Sequence, residues 1–107
     1  MNIRHTLVVL PLVTLALGGC ASSAILYIDD HGQEHPGTLN PATNAQTAQI
    51  DGKLYRGPYK VNEWGQGKST LSGPGDGKLY CDFYYRVLKV KGTCETLTGR
   101  EYQMQSR

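Results

Sequence analysis

The sequence predicts an all-β domain, a small antiparallel sheet or partly open barrel, preceded by a helical signal peptide. Three observations lead there. From Ile50 onward glycine recurs every few residues, at Gly52, Gly57, Gly65, Gly67, Gly73, Gly75, Gly77, Gly92 and Gly99. Between these glycines lie short pieces rich in β-branched and aromatic residues, the spacing of antiparallel strands joined by turns. No stretch of this region carries the 3.6-residue apolar stripe of a surface helix.

The chain opens with a different pattern. Arg4 precedes an almost wholly apolar stretch from Thr6 to Leu17, the arrangement of a secretory signal. Spanning a bilayer takes about 20 apolar residues, so this stretch, which also contains Pro11, is too short to cross. It stops at Leu17-Gly18-Gly19-Cys20, which resembles the lipobox of bacterial lipoproteins. That resemblance implies cleavage before Cys20 and a diacylglyceryl group on its sulfur. Gly18 and Gly19 suit such processing because they put no side chain between extended backbone and the processing enzymes. An ordinary signal-peptidase site, after Gly19 or Ala21, is the alternative. The expected division is a signal peptide over 1–19, lipidated Cys20 and a tether over 20–23, and a β domain over 24–107.

Within that domain, Ala24 to Ile28 is β-prone and Asp29-Asp30-His31-Gly32 is a turn cluster. Gln33 to Leu39 returns as a second strand, which Pro36 would keep at a sheet edge. Residues 40–49 (NPATNAQTAQ) are polar and aperiodic and read as a loop. Strand pieces follow at Lys53–Tyr55, Pro58–Val61, Ser69–Ser72, Lys78–Val90, Thr93–Leu97 and Arg100–Gln103. The fourth of these alternates cleanly: Leu79, Cys81, Phe83 and Tyr85 share one face, and Tyr80, Asp82, Tyr84 and Arg86 the other. Leu88, Val90, Gly92 and Cys94 continue the apolar face in the opposite parity, so a turn or bulge belongs near Arg86-Val87.

Cys81 and Cys94 therefore both face the core side, and with Cys20 committed to lipid they form an even pair in an exported chain. A disulfide between them is expected. Zinc is a poor alternative, because two cysteines without nearby histidines do not complete four ligands. Nor do they form the C-x-x-C of a redox pair.

Charge narrows the partners. The chain has 11 Lys+Arg against 9 Asp+Glu. Losing Arg4 with the leader would leave a near-neutral domain. Its basic residues are never adjacent to one another, so no nucleic-acid footprint exists.

Candidate chemistry is sparse. Asp29, Asp30, His31, Glu34 and His35 look like a metal cluster, but Gly32 and Pro36 argue against a helix, and the segment reads as a solvated polar turn. Asn62-Glu63-Trp64-Gly65-Gln66-Gly67-Lys68-Ser69 misses the phosphate-loop pattern, which needs glycine where Asn62 stands. Gly73-Pro74-Gly75-Asp76-Gly77 is a turn. No serine sits in a nucleophile elbow. No catalytic residue, metal site or cofactor is expected. Trp64 lies in a glycine-bounded segment rather than a strand. Capping a small core is its commoner use, and an exposed partner anchor the other.

Residues 51–59, Lys78–Phe83, Lys91–Cys94 and Gly99–Tyr102 resemble a group of small uncharacterised proteobacterial lipoproteins, from which no activity carries over. Lys91 to Tyr102 is also similar to a single degenerate MORN-type repeat, whereas an array needs several. The resulting expectation is an outer-membrane lipoprotein held in the bilayer through acylated Cys20. It would be a structural or binding module of the cell envelope, of an inhibitor or exclusion type, and not an enzyme. Its contact with an envelope protein or glycan would run through Trp64, Tyr80 or Tyr84. The alternative is an envelope hydrolase. An exposed apolar patch at Trp64 and Tyr59 would favour the first reading, and a pocket holding a histidine beside a nucleophile the second.

Overall fold

A computed structural model describes residues 22–87 and 89–107. The expected signal peptide and Cys20 lie outside these residues. The described chain forms eight strands: β1 (Ser23–Ile28), β2 (Glu34–Asn40), β3 (Ala45–Ile50), β4 (Lys53–Val61), β5 (Gln66–Ser72), β6 (Lys78–Arg86), β7 (Lys89–Thr96) and β8 (Glu101–Ser106). Each pairs antiparallel with the next, and β8 pairs with β1. The sheet is a closed up-and-down barrel. Successive hairpin turns therefore alternate between its two ends.

The barrel is filled by its own side chains, as eight strands allow. Ile25, Tyr27, Leu39, Ala48, Ile50, Tyr59, Leu71, Leu79, Phe83, Val90, Tyr102 and Met104 point inward with both strand cysteines. Lysines, acids and glutamines such as Lys68, Asp82, Lys91, Glu95 and Gln103 alternate outward. A membrane-spanning barrel has the reverse polarity, so this wall is built for water.

Glycine makes room for the large rings. A Cβ on Gly67 would lie 2.4 Å from the Phe83 ring, and one on Gly37 would lie 2.4 Å from Tyr27 and 2.3 Å from the Thr47 carbonyl oxygen. In each pair an aromatic ring occupies the space a side chain would take.

Several expectations change. The sheet is not partly open: β1 and β8 close it. Residues 40–49 are not one loop, because Ala45–Ile50 is a strand paired on both sides. Its inward residues are Gln46, Ala48 and Ile50, a polar and a small residue among them, so no apolar alternation advertises it. Pro36 does not mark an edge. Thr38 N–H points toward β3, donating to Thr47 Oγ1 at 3.1 Å, so Pro36, two residues earlier, turns its nitrogen the same way. The β2–β3 ladder begins only at Gly37, and no donor is needed there. Likewise Gly57-Pro58 does not split β4. Tyr59 N–H donates to Asn44 O, toward β3, which turns Pro58 toward β5, where pairing skips from Arg56 to Tyr59.

The β6–β7 hairpin follows its alternation, with its turn at Val87. Cys81 and Cys94 are direct cross-strand partners, with Cα atoms 4.0 Å apart, and form a disulfide on the core side.

Candidate functional site

The outward side of β6 carries Tyr80, Asp82, Tyr84 and Arg86, because Leu79, Cys81 and Phe83 occupy the interior positions. Tyr80 and Tyr84 are both exposed. At about 3.3 Å per residue they stand roughly 13 Å apart along the barrel wall. Between them Asp82 faces Lys68 Nζ at 3.6 Å. Shallow recesses flank the line. One of about 380 Å³ borders Tyr80 with Pro58 and Lys60. Another of about 420 Å³ borders Tyr84 with Gln66 and Thr93. A third, of about 450 Å³, lies between Tyr84, Arg86, Lys89 and Lys91.

Trp64 stands at one end of this line. It does not cap the core: 65% of its surface is exposed. Asn62 builds the turn that holds it out. The Asn62 side-chain oxygen accepts from Trp64 N–H at 2.9 Å and Gln66 N–H at 3.0 Å. The turn is stitched to β6, since Tyr85 N–H donates to Gly65 O at 2.8 Å and Arg86 Nη2 donates to Trp64 O at 3.3 Å. Gly65 adopts φ +86°, and a side chain there would press on Tyr85 O and Arg86. Next to Arg86, Val87 takes φ +47° with 91% of its surface in water. For a β-branched residue that left-handed conformation costs about 1–2 kcal/mol. Tyr59, by contrast, is buried in the core, so Trp64 and Tyr59 form no shared patch.

The start of β1 is at this same end. Ser23 begins β1 opposite Leu39, and Arg107 N–H donates to Ala24 O at 3.1 Å. Turn alternation adds residues 41–44, 62–65 and the β6–β7 turn to this rim.

At the far end, the polar turn is only partly solvated. His31 is exposed, with Nδ1 3.0 Å from Asp30 Oδ1. His35 is 5% exposed, inside the barrel mouth, with Nε2 3.1 Å from Asp29 Oδ2 and its ring edge-on to Tyr102. Asp29 is held by the turn it builds, since its Oδ1 accepts from His31 and Gln33 N–H, each at 2.9 Å. The hydrogen bond from His35, with those N–H groups, holds the Asp29 carboxyl below the usual carboxylate range. Among the described residues no hydroxyl or thiol hydrogen-bonds to His35. Asp29, Asp30 and His31 bring ligand atoms within 4.8 Å of one another, but both Asp29 oxygens are already engaged.

Sequence reasoning missed a recess of about 460 Å³ at this far mouth, lined by Asp51, Lys53, Tyr55, Lys78, Arg100 and Tyr102 among others. Arg100 and Asp51 stand 3.8 Å apart across it, both half exposed. Counting hairpins would have found it, because turns 51–52, 73–77 and 97–100 are alternate turns of one meander. No protein-family model, curated protein or solved structure matches this chain.

Proposed function

We propose that this is a lipid-anchored outer-membrane protein whose role is non-enzymatic contact with an envelope protein or glycan. The observation that carries this is the outer face of β6. It sets Tyr80 and Tyr84 into water beside recesses, on a barrel whose interior is already occupied by side chains. Tyrosine pairs a large apolar ring with a polar tip, which suits both protein and sugar surfaces. Closure of the barrel removes free strand edges, so strand addition is not the mode of contact and side chains must supply it. The anchor is supported by Leu17-Gly18-Gly19-Cys20 and by an exit from the barrel only a few residues downstream.

Crosslinking in intact cells followed by mass spectrometry tests the reading. A reproducible envelope partner that is lost in Tyr84→Ala or Tyr80→Ala is expected. Turnover of a substrate by the purified protein, abolished by His35→Ala or His31→Ala, would refute it and favour an envelope hydrolase. For the anchor, Cys20→Ala should yield an unprocessed or soluble species, and density-gradient separation should place the wild type with outer membranes.

A further inference from the structure

We propose that the barrel end where β1 begins seats directly on the bilayer, with Trp64 and Val87 as the side chains that enter the lipid interface. The inference rests on the reading of Cys20 as the acylated anchor. Cys20 lies three residues before Ser23, the first residue of β1. An extended tether of that length reaches at most about 10 Å, so the acylated sulfur holds this rim against the headgroups. The side chains this rim presents are therefore held within reach of lipid.

What it presents fits that surface. Trp64 and Val87 are among the most exposed apolar side chains of the described residues. They sit on two different turns, yet those turns are tied together through Gly65–Tyr85 and Trp64–Arg86 hydrogen bonds. Trp64 is thus a fixed projection, not a side chain on a loose loop. An indole prefers the membrane–water boundary, where its ring is in acyl chain and its N–H in water. Arg86 and Lys89 pair across the hairpin on either side of the Val87 turn, placing two cations where anionic headgroups would stand. Glu63 is the neighbouring acid. The left-handed Val87 belongs to this account as well. Asparagine or glycine would make that turn without strain, and neither would contribute an apolar contact.

The chain has a single tryptophan, so its fluorescence reports on Trp64 alone. The processed protein purified from membranes would be reconstituted into vesicles of phosphatidylethanolamine and phosphatidylglycerol, with and without brominated acyl chains. Mass spectrometry of the same sample reads the acyl group on Cys20. The expected result is a blue-shifted emission that is quenched by brominated lipid and at least severalfold less accessible to acrylamide than in detergent-free, lipid-free protein. Val87→Asp should reduce the brominated-lipid quenching. Trp64→Phe combined with Leu97→Trp moves the probe to the opposite end, where it should stay open to acrylamide. If Cys20 carries acyl chains but Trp64 remains accessible to acrylamide and untouched by brominated lipid, the seating is overturned and the anchor stands. If no acyl mass is found, both fall. Equal quenching at positions 64 and 97 would also overturn the proposed orientation.

Discussion

Replacing Gln46 by Met should leave the barrel as stable as before or make it more stable, although it deletes a buried hydrogen bond. Gln46 is fully buried in the barrel interior. Its Nε2 donates to Tyr27 Oη at 2.9 Å, and Tyr27 Oη in turn donates to the Thr47 carbonyl at 2.9 Å. Its Oε1 has no hydrogen-bond partner among the described residues. Nε2 also points at two soft sulfurs, Cys81 Sγ at 3.7 Å and Met104 Sδ at 3.9 Å. A neutral hydrogen bond contributes about 1 kcal/mol net, whereas a buried acceptor without a partner costs about 1–3 kcal/mol. Met has similar length and volume, so little cavity or overpacking follows. Tyr27 keeps its donor role to Thr47. The balance is a gain of about 0–2 kcal/mol, and for a domain of this size each kcal/mol moves the Tm by about 4–8 °C. Thermal and urea unfolding followed by circular dichroism, with the disulfide intact, reads it. A loss of more than about 1 kcal/mol would refute the reasoning and show that Oε1 is satisfied, for instance by an internal water. Tyr27→Phe, which strands Gln46 entirely, should cost about 1–3 kcal/mol in the same assay.

Gly37→Ala should destabilise by about 1–3 kcal/mol, because the new Cβ meets the backbone of β3 as well as the Tyr27 ring; an unchanged urea midpoint would contradict the packing. Cys81 and Cys94 should resist thiol reagents until a reductant is added, and reduction should lower stability by about 3 kcal/mol, while two reactive thiols in the native protein would rule out the bond. The depressed Asp29 carboxyl contributes stability that is present above the ordinary aspartate pKa of about 3.9 and lost as pH falls through its lower folded value; Asp29→Asn should flatten that acid limb of an unfolding curve. Burial raises the Tyr27, Tyr59 and Tyr102 phenols, so their contribution is intact below about pH 10 and falls above it by up to about 1.4 kcal/mol per pH unit for each. The tyrosinate absorbance of these three should then appear together with alkaline unfolding rather than before it. Val87→Asn should raise the Tm by relieving the left-handed turn, with a gain of up to about 1 kcal/mol.

The parts of this fold that were legible in the chain are those with strong local alternation. Leu79 to Tyr85 and Val90 to Cys94 declare their faces, and from them the hairpin, its turn and the disulfide follow. Strand β3 was hidden because its inward positions hold Gln46 and Ala48, residues chosen to fit beside Tyr27 and Gly37 rather than to be apolar. Pro36 misled because a proline forbids pairing on one side of a strand only, and the side depends on register. Closure between β1 and β8 joins segments about 80 residues apart and leaves no local signature. For the site, the outward placement of Tyr80 and Tyr84 was readable from parity. The exposure of Trp64 was not, since it depends on how Asn62 and Arg86 hold its turn.

The pairing of β1 with β8 also constrains the order of events during assembly. Strand β1 emerges first, and its second neighbour is β8, the last strand of the barrel. Until residues 101–106 arrive, β1 and β7 each present an unpaired edge, with Ile25 and Tyr27 facing an interior that is not yet sealed. Two chains that meet at that stage are templates for one another. Late closure of so distant a contact is also slow. Folding of this chain therefore carries an interval of vulnerability whose length is set by its final six-residue strand, and truncation of that strand would make the interval permanent.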